Sequence, residues 1–237
     1  MLPAFSVVIP CYNEAQRIGE TLRATLDYLR NESPQSELIV VNDGSTDATR
    51  QIAREVLATT PTDTRLLENY PNRGKGAAVR SGLLAAQRPI ALLSDADLST
   101  PLHEAPKLIE PIVTGDVDLA FGSRALDRTL IGVHQPWRRE YAGRVFNLLV
   151  RVATGLPFWD TQCGFKAFRL SKCRPILEAA HVNGFAFDVE LLFLAQHAGL
   201  RVREIPVRWN HAEGSKVDFL RDSMRMLREV IALRRRL

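Results

Sequence analysis

The stretch Glu37-Leu-Ile-Val-Val-Asn-Asp-Gly-Ser-Thr-Asp47 decides the fold class of this chain. Its first half is a short run rich in apolar, β-branched residues, which is typical of a buried strand. Its second half is a turn that ends in Ser45-Thr-Asp47, a pattern that caps the N-terminus of a helix. Ile52 and Val56 follow at helical spacing. The stretch therefore predicts a strand that leads directly into a helix.

The same unit of strand followed by helix recurs along the chain. Strands are predicted at residues 5–9, 37–41, 65–68, 89–93, 117–121 and 202–207. Helices are predicted from residues 18, 45 and 100, over 75–86, over 138–154, over 189–197 and at the carboxyl terminus, and a loop is predicted over 159–168. This alternation predicts an α/β fold with a mostly parallel sheet, flanked by helices on both faces. Since there is no repeat or linker, we expect a single domain over residues 1–237.

The composition excludes several classes of protein. With 237 residues, 46% of them hydrophobic and 24% charged, the chain resembles a folded globular domain and not a disordered one. No apolar run is long enough to cross a membrane, and no signal peptide is predicted. The cysteines Cys11, Cys163 and Cys173 form no disulfide or zinc pattern, so we expect a reducing, cytoplasmic environment. The net charge of +4 favours phosphates, nucleic acid or an anionic membrane as partners.

Acidic residues follow three of the predicted strands, at the edge of the sheet where parallel α/β folds bind ligands. Glu14 follows the first strand, Asp43 the second, and Asp95 and Asp97 the fourth. Neighbouring carboxylates repel each other unless a cation or hydrogen-bond donors meet them. The spacing Asp95-Ala-Asp97 suits a hard cation such as Mg²⁺ or Mn²⁺, which takes further ligands from water and phosphate. A solvated turn is the alternative, and the position directly after an apolar strand favours the metal.

Two turns that contain glycine suggest where a phosphorylated ligand would bind. Asp43-Gly44 either accepts hydrogen bonds from a base or ribose, with the glycine allowing close approach, or forms an ordinary turn and helix cap. Arg73-Gly-Lys-Gly76 opens a predicted helix, where backbone N–H groups and Lys75 either meet a diphosphate or form a flexible cap. The glycine pair also resembles a dinucleotide-binding fingerprint. We exclude that interpretation because Val79 replaces the third glycine and the motif does not close the first strand.

Together, the strand-end motifs resemble those of the inverting family 2 glycosyltransferases, which have the GT-A fold. The motifs that carry this resemblance are Val8-Ile-Pro-Cys-Tyr-Asn-Glu14, Val41-Asn-Asp-Gly-Ser-Thr-Asp47, Asn72-Arg-Gly-Lys-Gly76 and Asp95-Ala-Asp97. Three more resemble the dolichyl-phosphate β-glucosyltransferase branch, close to the dolichyl-phosphate mannose synthases: Gly122-Ser-Arg124, Asp160-Thr-Gln-Cys-Gly-Phe-Lys166 and Phe185-Ala-Phe-Asp-Val-Glu190. The resemblance covers nearly the whole chain. It implies metal-dependent transfer of a hexose to a polyprenyl phosphate, with residues 1–125 binding the nucleotide sugar and residues 126–237 facing the acceptor and the membrane.

The resemblance also implies a role for each matching position. The residues that would surround the base and the ribose of the donor are Pro10, Tyr12, Glu14 and Asp43. Asp95 would support the site, and Asp97 would hold Mg²⁺ or Mn²⁺ against the diphosphate. Arg124 would face the acceptor phosphate, and Asp160 would help to orient the sugar. The expected catalytic residues are therefore Asp95, Asp97, Arg124 and Asp160.

Two departures from the mannose synthase pattern favour glucose as the sugar. Mannose synthases that resemble this chain have Gln two residues after the metal-binding Asp, where this chain has Ser99. They also have Arg before a Gly-x-Ser-Lys segment, where this chain has His211. We therefore expect UDP-glucose as the donor, with a GDP-mannose-dependent polyprenyl-phosphate mannosyltransferase as the alternative. A non-catalytic nucleotide-sugar-binding module is an alternative from another class, against which the intact Asp43, Asp95 and Asp97 argue.

Two amphipathic helices suggest how a lipid acceptor would be reached. Each either packs on the core or lies on an anionic membrane surface. Their apolar stripes are Tyr141, Val145, Leu148 and Val152 in one, and Leu220, Met224, Leu227 and Ile231 beside Met226, Val230, Leu233 and Leu237 in the other. The basic residues Arg138, Arg139 and Arg144 would attract the acceptor phosphate. No nucleic acid is expected, because aromatic residues do not alternate with the arginines. We expect a cytoplasmic protein, peripheral on the inner face of the membrane.

Overall fold

The computed structural model describes residues 2–212 and 219–233, and of residues 138 and 219–224 it describes the backbone. Its large sheet has the strand order β3-β2-β1-β4-β7-β5-β8. The strands are β1 (Ser6–Cys11), β2 (Glu37–Asp43), β3 (Asp63–Asn69), β4 (Ile90–Leu93), β5 (Leu119–Ser123), β7 (Lys166–Arg169) and β8 (Val202–Pro206). Neighbouring strands are parallel except at β7, which is antiparallel to β4 and β5. The predicted mostly parallel α/β sheet is confirmed.

Helices cover both faces of this sheet. They are α1 (Ile18–Glu32), α2 (Thr49–Ala58), α3 (Lys75–Ala85), α4 (Ala105–Val113), α5 (Trp137–Thr154), α6 (Leu170–Ala179), α7 (Phe187–His197) and α8 (Phe219–Leu233). Side chains alternate along a strand, so Val8 faces one apolar cluster while Val7 and Ile9 face another. The first cluster includes residues of α3, α5, α6, α7 and α8, and the second includes residues of α1, α2 and α4.

A small second sheet ties two distant segments together. β6 (Ile131–Val133) pairs in parallel with β9 (Trp209–Asn210). The N–H of Asn210 also donates to the carbonyl of Ser99, at 2.8 Å. The segment after β8 therefore connects the loop that follows β4 with the loop that follows β5.

One central strand lies where the sequence predicted a loop. β7 occupies the end of the predicted loop over residues 159–168, and α6 follows it directly. β7 has four residues, Lys-Ala-Phe-Arg, and its first residue, Lys166, is fully buried. A charged residue at a buried position interrupts the apolar pattern that identifies a central strand. The loop prediction is therefore wrong for residues 166–168.

The two amphipathic helices differ in what their apolar residues contact. In α8, Met226, Val230 and Leu233 are buried in the core, whereas Ile231 is exposed. The predicted stripe of α5 faces solvent, and α5 packs on the core through Phe146 and Val150 instead. The sequence features that lie outside the described residues are the side chains of Arg138, Leu220 and Met224, the segment over residues 213–216 that follows His211, and Leu237.

Within the described part of the chain, none of the helices combines the length and the apolar character that crossing a membrane requires.

Candidate active site

The carboxyl ends of β2, β1 and β4 meet at one edge of the sheet, because these strands are parallel neighbours. Pro10 is buried near the end of β1. Tyr12, the first residue after this strand, is exposed. Glu14 forms an ion pair with Arg17, at 2.9 Å, and its N–H donates to the hydroxyl of Thr49. The structure thus brings Pro10, Tyr12 and Glu14 to the edge where β2 ends. Their contact with a base or ribose stays a prediction.

Asp43, at the end of β2, anchors the loop that precedes α3. Its carboxylate accepts hydrogen bonds from Nδ2 of Asn69 at 2.8 Å and from the N–H groups of Arg73 and Gly74 at 3.1 and 2.7 Å. A carboxylate has about four acceptor positions, so three protein donors leave room for a bond to a ligand. The next residue, Gly44, has a φ of +70°, and a Cβ there would lie 2.7 Å from the backbone N of Asn72. The close approach of this loop therefore requires glycine at position 44.

Lys75, the first residue of α3, forms an ion pair with Asp95. Nζ of Lys75 lies 2.7 Å from Oδ1 of Asp95. Burial alone would lower the pKa of Lys75, but the negative charges of Asp95 and Asp188 and the hydrogen bond to Asp95 together raise this pKa above its ordinary value. Lys75 is therefore a permanent cation at the N-terminus of a helix, a position that suits a diphosphate.

Asp97, the second carboxylate after β4, is exposed. Its Oδ1 accepts a hydrogen bond from the N–H of Ser99 at 2.9 Å, and within residues 2–212 and 219–233 no hydrogen bond or ion pair involves its Oδ2. In the same part of the chain, no three His, Cys, Asp or Glu side chains converge as metal ligands. An exposed carboxylate with a free hard oxygen fits a cation that takes most of its ligands from phosphate and water.

Arg124 and Asp160 form an ion pair after β5. Nε and Nη2 of Arg124 each donate to the carboxylate of Asp160 at 2.7 Å, and the Arg124 N–H donates to it at 2.9 Å. Burial alone would raise the pKa of Asp160, but the charge of Arg124 and its hydrogen bonds together hold this pKa below its ordinary value. The guanidinium also lies over the ring of Trp209, 5.4 Å from its centre. Among the described residues, no hydrogen bond uses the other N–H groups of the guanidinium, so these donors can meet an anion.

Charged residues hold the loop that carries Asp160: Glu204 is partly buried, and Lys166 and Asp188 are buried. Glu204 of β8 accepts hydrogen bonds from the N–H groups of Trp159 and Asp160, at 2.8 and 2.7 Å. Lys166 donates to the carbonyls of Thr161 and Cys163 and forms an ion pair with Asp188 of α7, at 2.9 Å. The loop is thus fixed to the sheet and to α7 through its backbone.

Comparison with known proteins identifies the family. The model of glycosyl transferase family 2 matches residues 6–176, which include the strand ends, Lys75, Arg124 and Asp160. The chain belongs to glycosyl transferase family 2. It is a glycosyltransferase, as the sequence motifs predicted.

Individual relatives agree with this assignment. The dolichyl-phosphate beta-glucosyltransferase of Drosophila melanogaster is 38% identical over 224 residues, which cover 90% of this chain and 68% of that protein. The protein of the same name from Saccharomyces cerevisiae is 34% identical over 245 residues, covering 97% of this chain and 73% of that one. Glucosyl-3-phosphoglycerate synthase from Mycobacterium tuberculosis, crystallised with Mn²⁺, UDP-glucose and phosphoglyceric acid, is similar in structure, with a TM-score of 0.71 at 21% identity. That similarity covers 97% of this chain and 78% of the synthase and confirms the predicted GT-A-like fold.

Three charged residues of this glycosyltransferase had no role in the sequence analysis. Lys166 and Asp188 lie in motifs that carried the resemblance, so their positions were visible but their pairing was not. Glu204 lies in a strand without any motif. Nothing in the sequence indicates that Glu204 meets the backbone of residues 159 and 160, because that contact depends on the order of strands in the sheet.

Proposed function

We propose that this glycosyltransferase transfers glucose from UDP-glucose to a polyprenyl phosphate such as dolichyl phosphate, with the help of Mg²⁺ or Mn²⁺. The names of its curated relatives, which are 31–38% identical to it, support glucose as the sugar and a dolichyl phosphate as the acceptor. The structural neighbour crystallised with Mn²⁺ and UDP-glucose supports the donor and the metal.

The observation that supports a phosphate as the acceptor is the ion pair that engages Asp160. A hydroxyl acceptor needs a general base close to the attacking oxygen. Asp160, which was expected to orient the sugar, is the carboxylate beside Arg124, but Arg124 occupies both of its oxygens and lowers its pKa. A carboxylate so engaged is a poor base. A phosphate monoester needs no base, because its second pKa is near 6.

On the acceptor side, Arg124 supplies the charge that a phosphate requires. Donor and acceptor are both anions, so the protein must hold them within reacting distance against their repulsion. Arg124 is held in place by Asp160 and Trp209 and keeps further N–H donors for a phosphate oxygen. In-line attack by that oxygen would invert the anomeric carbon.

On the donor side, Asp97 and Lys75 would bind the diphosphate. A bound Mg²⁺ or Mn²⁺, held by Asp97, would offset the charge of the departing diphosphate. Lys75 contributes a second, permanent positive charge from the N-terminus of α3. Asp95 holds Lys75 in position, while Asp43 fixes the loop that leads into α3.

A lipid acceptor requires contact with a membrane, and we assign this contact to α5. Six large apolar side chains of α5 are between 41% and 73% exposed: Trp137, Tyr141, Val145, Leu148, Leu149 and Val152. A contiguous exposed patch of this kind marks an interaction site, and Trp and Tyr favour the membrane interface. Arg144 is also exposed on this helix. The enzyme would then be peripheral, on the cytoplasmic face of the membrane that carries the lipid.

The experiment that tests the donor is a comparison of labelled nucleotide sugars with one polyprenyl phosphate. UDP-glucose should label the lipid in a reaction that a chelator stops and Mg²⁺ or Mn²⁺ restores. Labelling from GDP-mannose instead would assign the enzyme to mannosyl transfer. Binding of UDP-glucose without any labelled lipid or free glucose would indicate a non-catalytic binding module.

A further inference from the structure

Asn147, in the middle of α5, holds the loop over residues 158–161. Its Nδ2 donates to the carbonyl of Trp159 at 2.6 Å and to that of Phe158 at 3.3 Å. Its Oδ1 accepts from the hydroxyl of Thr161 at 3.0 Å and from the N–H of Thr161 at 3.3 Å. Asparagine is unfavourable inside a helix, so these contacts give the residue a tertiary reason to be there.

The residue enclosed by these contacts is Asp160. Asn147 bonds to the residues on either side of it, while the carboxylate of Asp160 binds Arg124. We propose that Asn147 is a positioning residue for the acceptor side of the reaction. It acts through the backbone of residues 158–161 and sets the place of the Asp160–Arg124 pair relative to α5. This inference rests on the proposed function.

The loop over residues 158–161 is attached to the sheet on one side and to α5 on the other. Glu204 and Lys166 fix the loop to the sheet. Asn147 fixes it to the helix whose outer face is apolar and exposed, and the Arg151 guanidinium lies 3.8 Å from the ring centre of Trp159 as a second contact with that helix. Asn147 therefore joins the helix that would meet the lipid to the pair that would meet its phosphate, and the contact of Arg151 with Trp159 lies beside this connection.

Kinetics of two variants test this positioning role. With UDP-glucose and polyprenyl phosphate in vesicles, Asn147→Ala should lower kcat/KM for the lipid by about tenfold or more, because small misplacements of binding groups are costly. The affinity for UDP should stay within about twofold of that of the original enzyme. Thr161→Val removes the hydroxyl that Asn147 accepts from and should have a smaller effect, which disappears when Asn147 is already Ala. Gly143→Ala, at an open position of α5, is the matched control and should leave both quantities unchanged.

Amide hydrogen exchange tests the same inference without an acceptor. Asn147→Ala should speed exchange at the N–H of Thr161 and at that of Arg124, which donates to Asp160. If the original enzyme makes no lipid-linked product, the proposed function fails, and exchange still decides whether Asn147 holds the pair. Unchanged exchange or unchanged lipid kinetics would each overturn the role of Asn147. So would a general defect, in which UDP affinity and melting temperature fall together with the lipid kinetics.

Discussion

Nζ of Lys75 lies 2.7 Å from Oδ1 of Asp95, so two motifs that are twenty residues apart in sequence meet in one ion pair. Because of this pair, the two carboxylates after β4 have different surroundings. The protein itself offsets the charge of Asp95, whereas Asp97 is exposed and no cationic side chain of the described residues pairs with it. We therefore propose Asp97 as the carboxylate for a metal ion, whereas Asp95 pairs with Lys75.

Replacing Asp97 should separate metal binding from folding. Asp97→Ala should abolish transfer and remove the effect of Mn²⁺ on the affinity for UDP, because the variant lacks the carboxylate that would hold the ion. The melting temperature without ligand should change little, since the side chain is exposed. Asp116→Ala, which removes an exposed carboxylate before the amino end of β5, is the control. Normal turnover of Asp97→Ala in the presence of a chelator would show that the metal assignment is wrong.

A methyl group at Gly164 should disturb Asp95. A Cβ at this position would collide with the carboxylate of Asp95, which Lys75 also holds. Gly164→Ala should therefore weaken UDP-glucose binding and lower kcat while the protein still folds. Gly143→Ala places the same methyl group in open space and should leave the activity unchanged. Isothermal titration with UDP measures both variants, and equal affinities would contradict the contact between residues 164 and 95.

Removing either partner of the Arg124–Asp160 pair should damage the acceptor side. Arg124→Ala should raise KM for the lipid and lower kcat, and should leave the affinity for UDP nearly unchanged. Asp160→Asn leaves a largely buried guanidinium without its counter-charge, and loss of one partner of a buried pair costs on the order of 3 kcal/mol. Steady-state kinetics and urea unfolding measure the two effects.

A double-variant cycle distinguishes a pair from two independent residues. If Arg124→Ala and Asp160→Asn act on one ion pair, their combined loss of stability should be smaller than the sum of the single losses. Additive losses would mean that the two residues act separately.

The pH dependence should show the ionisation of the acceptor and not that of Asp160. Activity should rise as the pH increases through about 6, where the phosphate loses its second proton, and then stay flat. Asp160 has a lowered pKa and is charged throughout this range. Its contribution to stability is present above the ordinary Asp pKa of about 3.9 and is lost as the pH falls through the lowered value in the folded protein. Acid unfolding of Asp160→Asn should accordingly lack this loss of stability. A fall in activity at higher pH, after the plateau, would contradict the account.

The exposed face of α5 should determine binding to vesicles. Trp137→Ser together with Tyr141→Ser should weaken binding to vesicles with anionic lipid, because both aromatic side chains would leave the interface. Ile231→Ser, on the exposed side of α8, is the control that separates the two helices. Flotation assays measure both. The original protein could instead be a dimer that does not bind vesicles. If its mass in solution is twice that of one chain, and the α5 variant has the mass of one chain, this face binds a second copy of the chain.

The sequence predicted which residues meet at the strand ends better than it predicted the contacts of Arg124 and α5. Asp43, Asp95 and Asp97 directly follow apolar strands, and the ends of parallel strands meet at one edge whatever the rest of the chain does. The pairing of Lys75 with Asp95 could not be predicted, because it depends on where α3 begins relative to the loop after β4.

Around Arg124 and α5, long-range packing determines what each residue contacts. Arg124 was expected to face the acceptor, and its ion pair with Asp160 depends on the position of a loop 36 residues further along the chain. β7 was missed because the buried Lys166 interrupts its apolar pattern. For α5, the periodicity was correct, but the choice between a core face and an exposed face required the packing of Phe146 and Val150.

The measurement that tests the central claim most directly is the identity of the product from UDP-glucose and two matched lipids, polyprenyl phosphate and the same polyprenol without phosphate. Mass spectrometry and NMR of the lipid fraction give the linkage and the anomeric configuration. The account predicts glucose joined through a phosphodiester in the β configuration, formed from the phosphorylated lipid and not from the free alcohol. Glucose attached to the alcohol, or transfer that Arg124→Ala leaves unaffected, would contradict it.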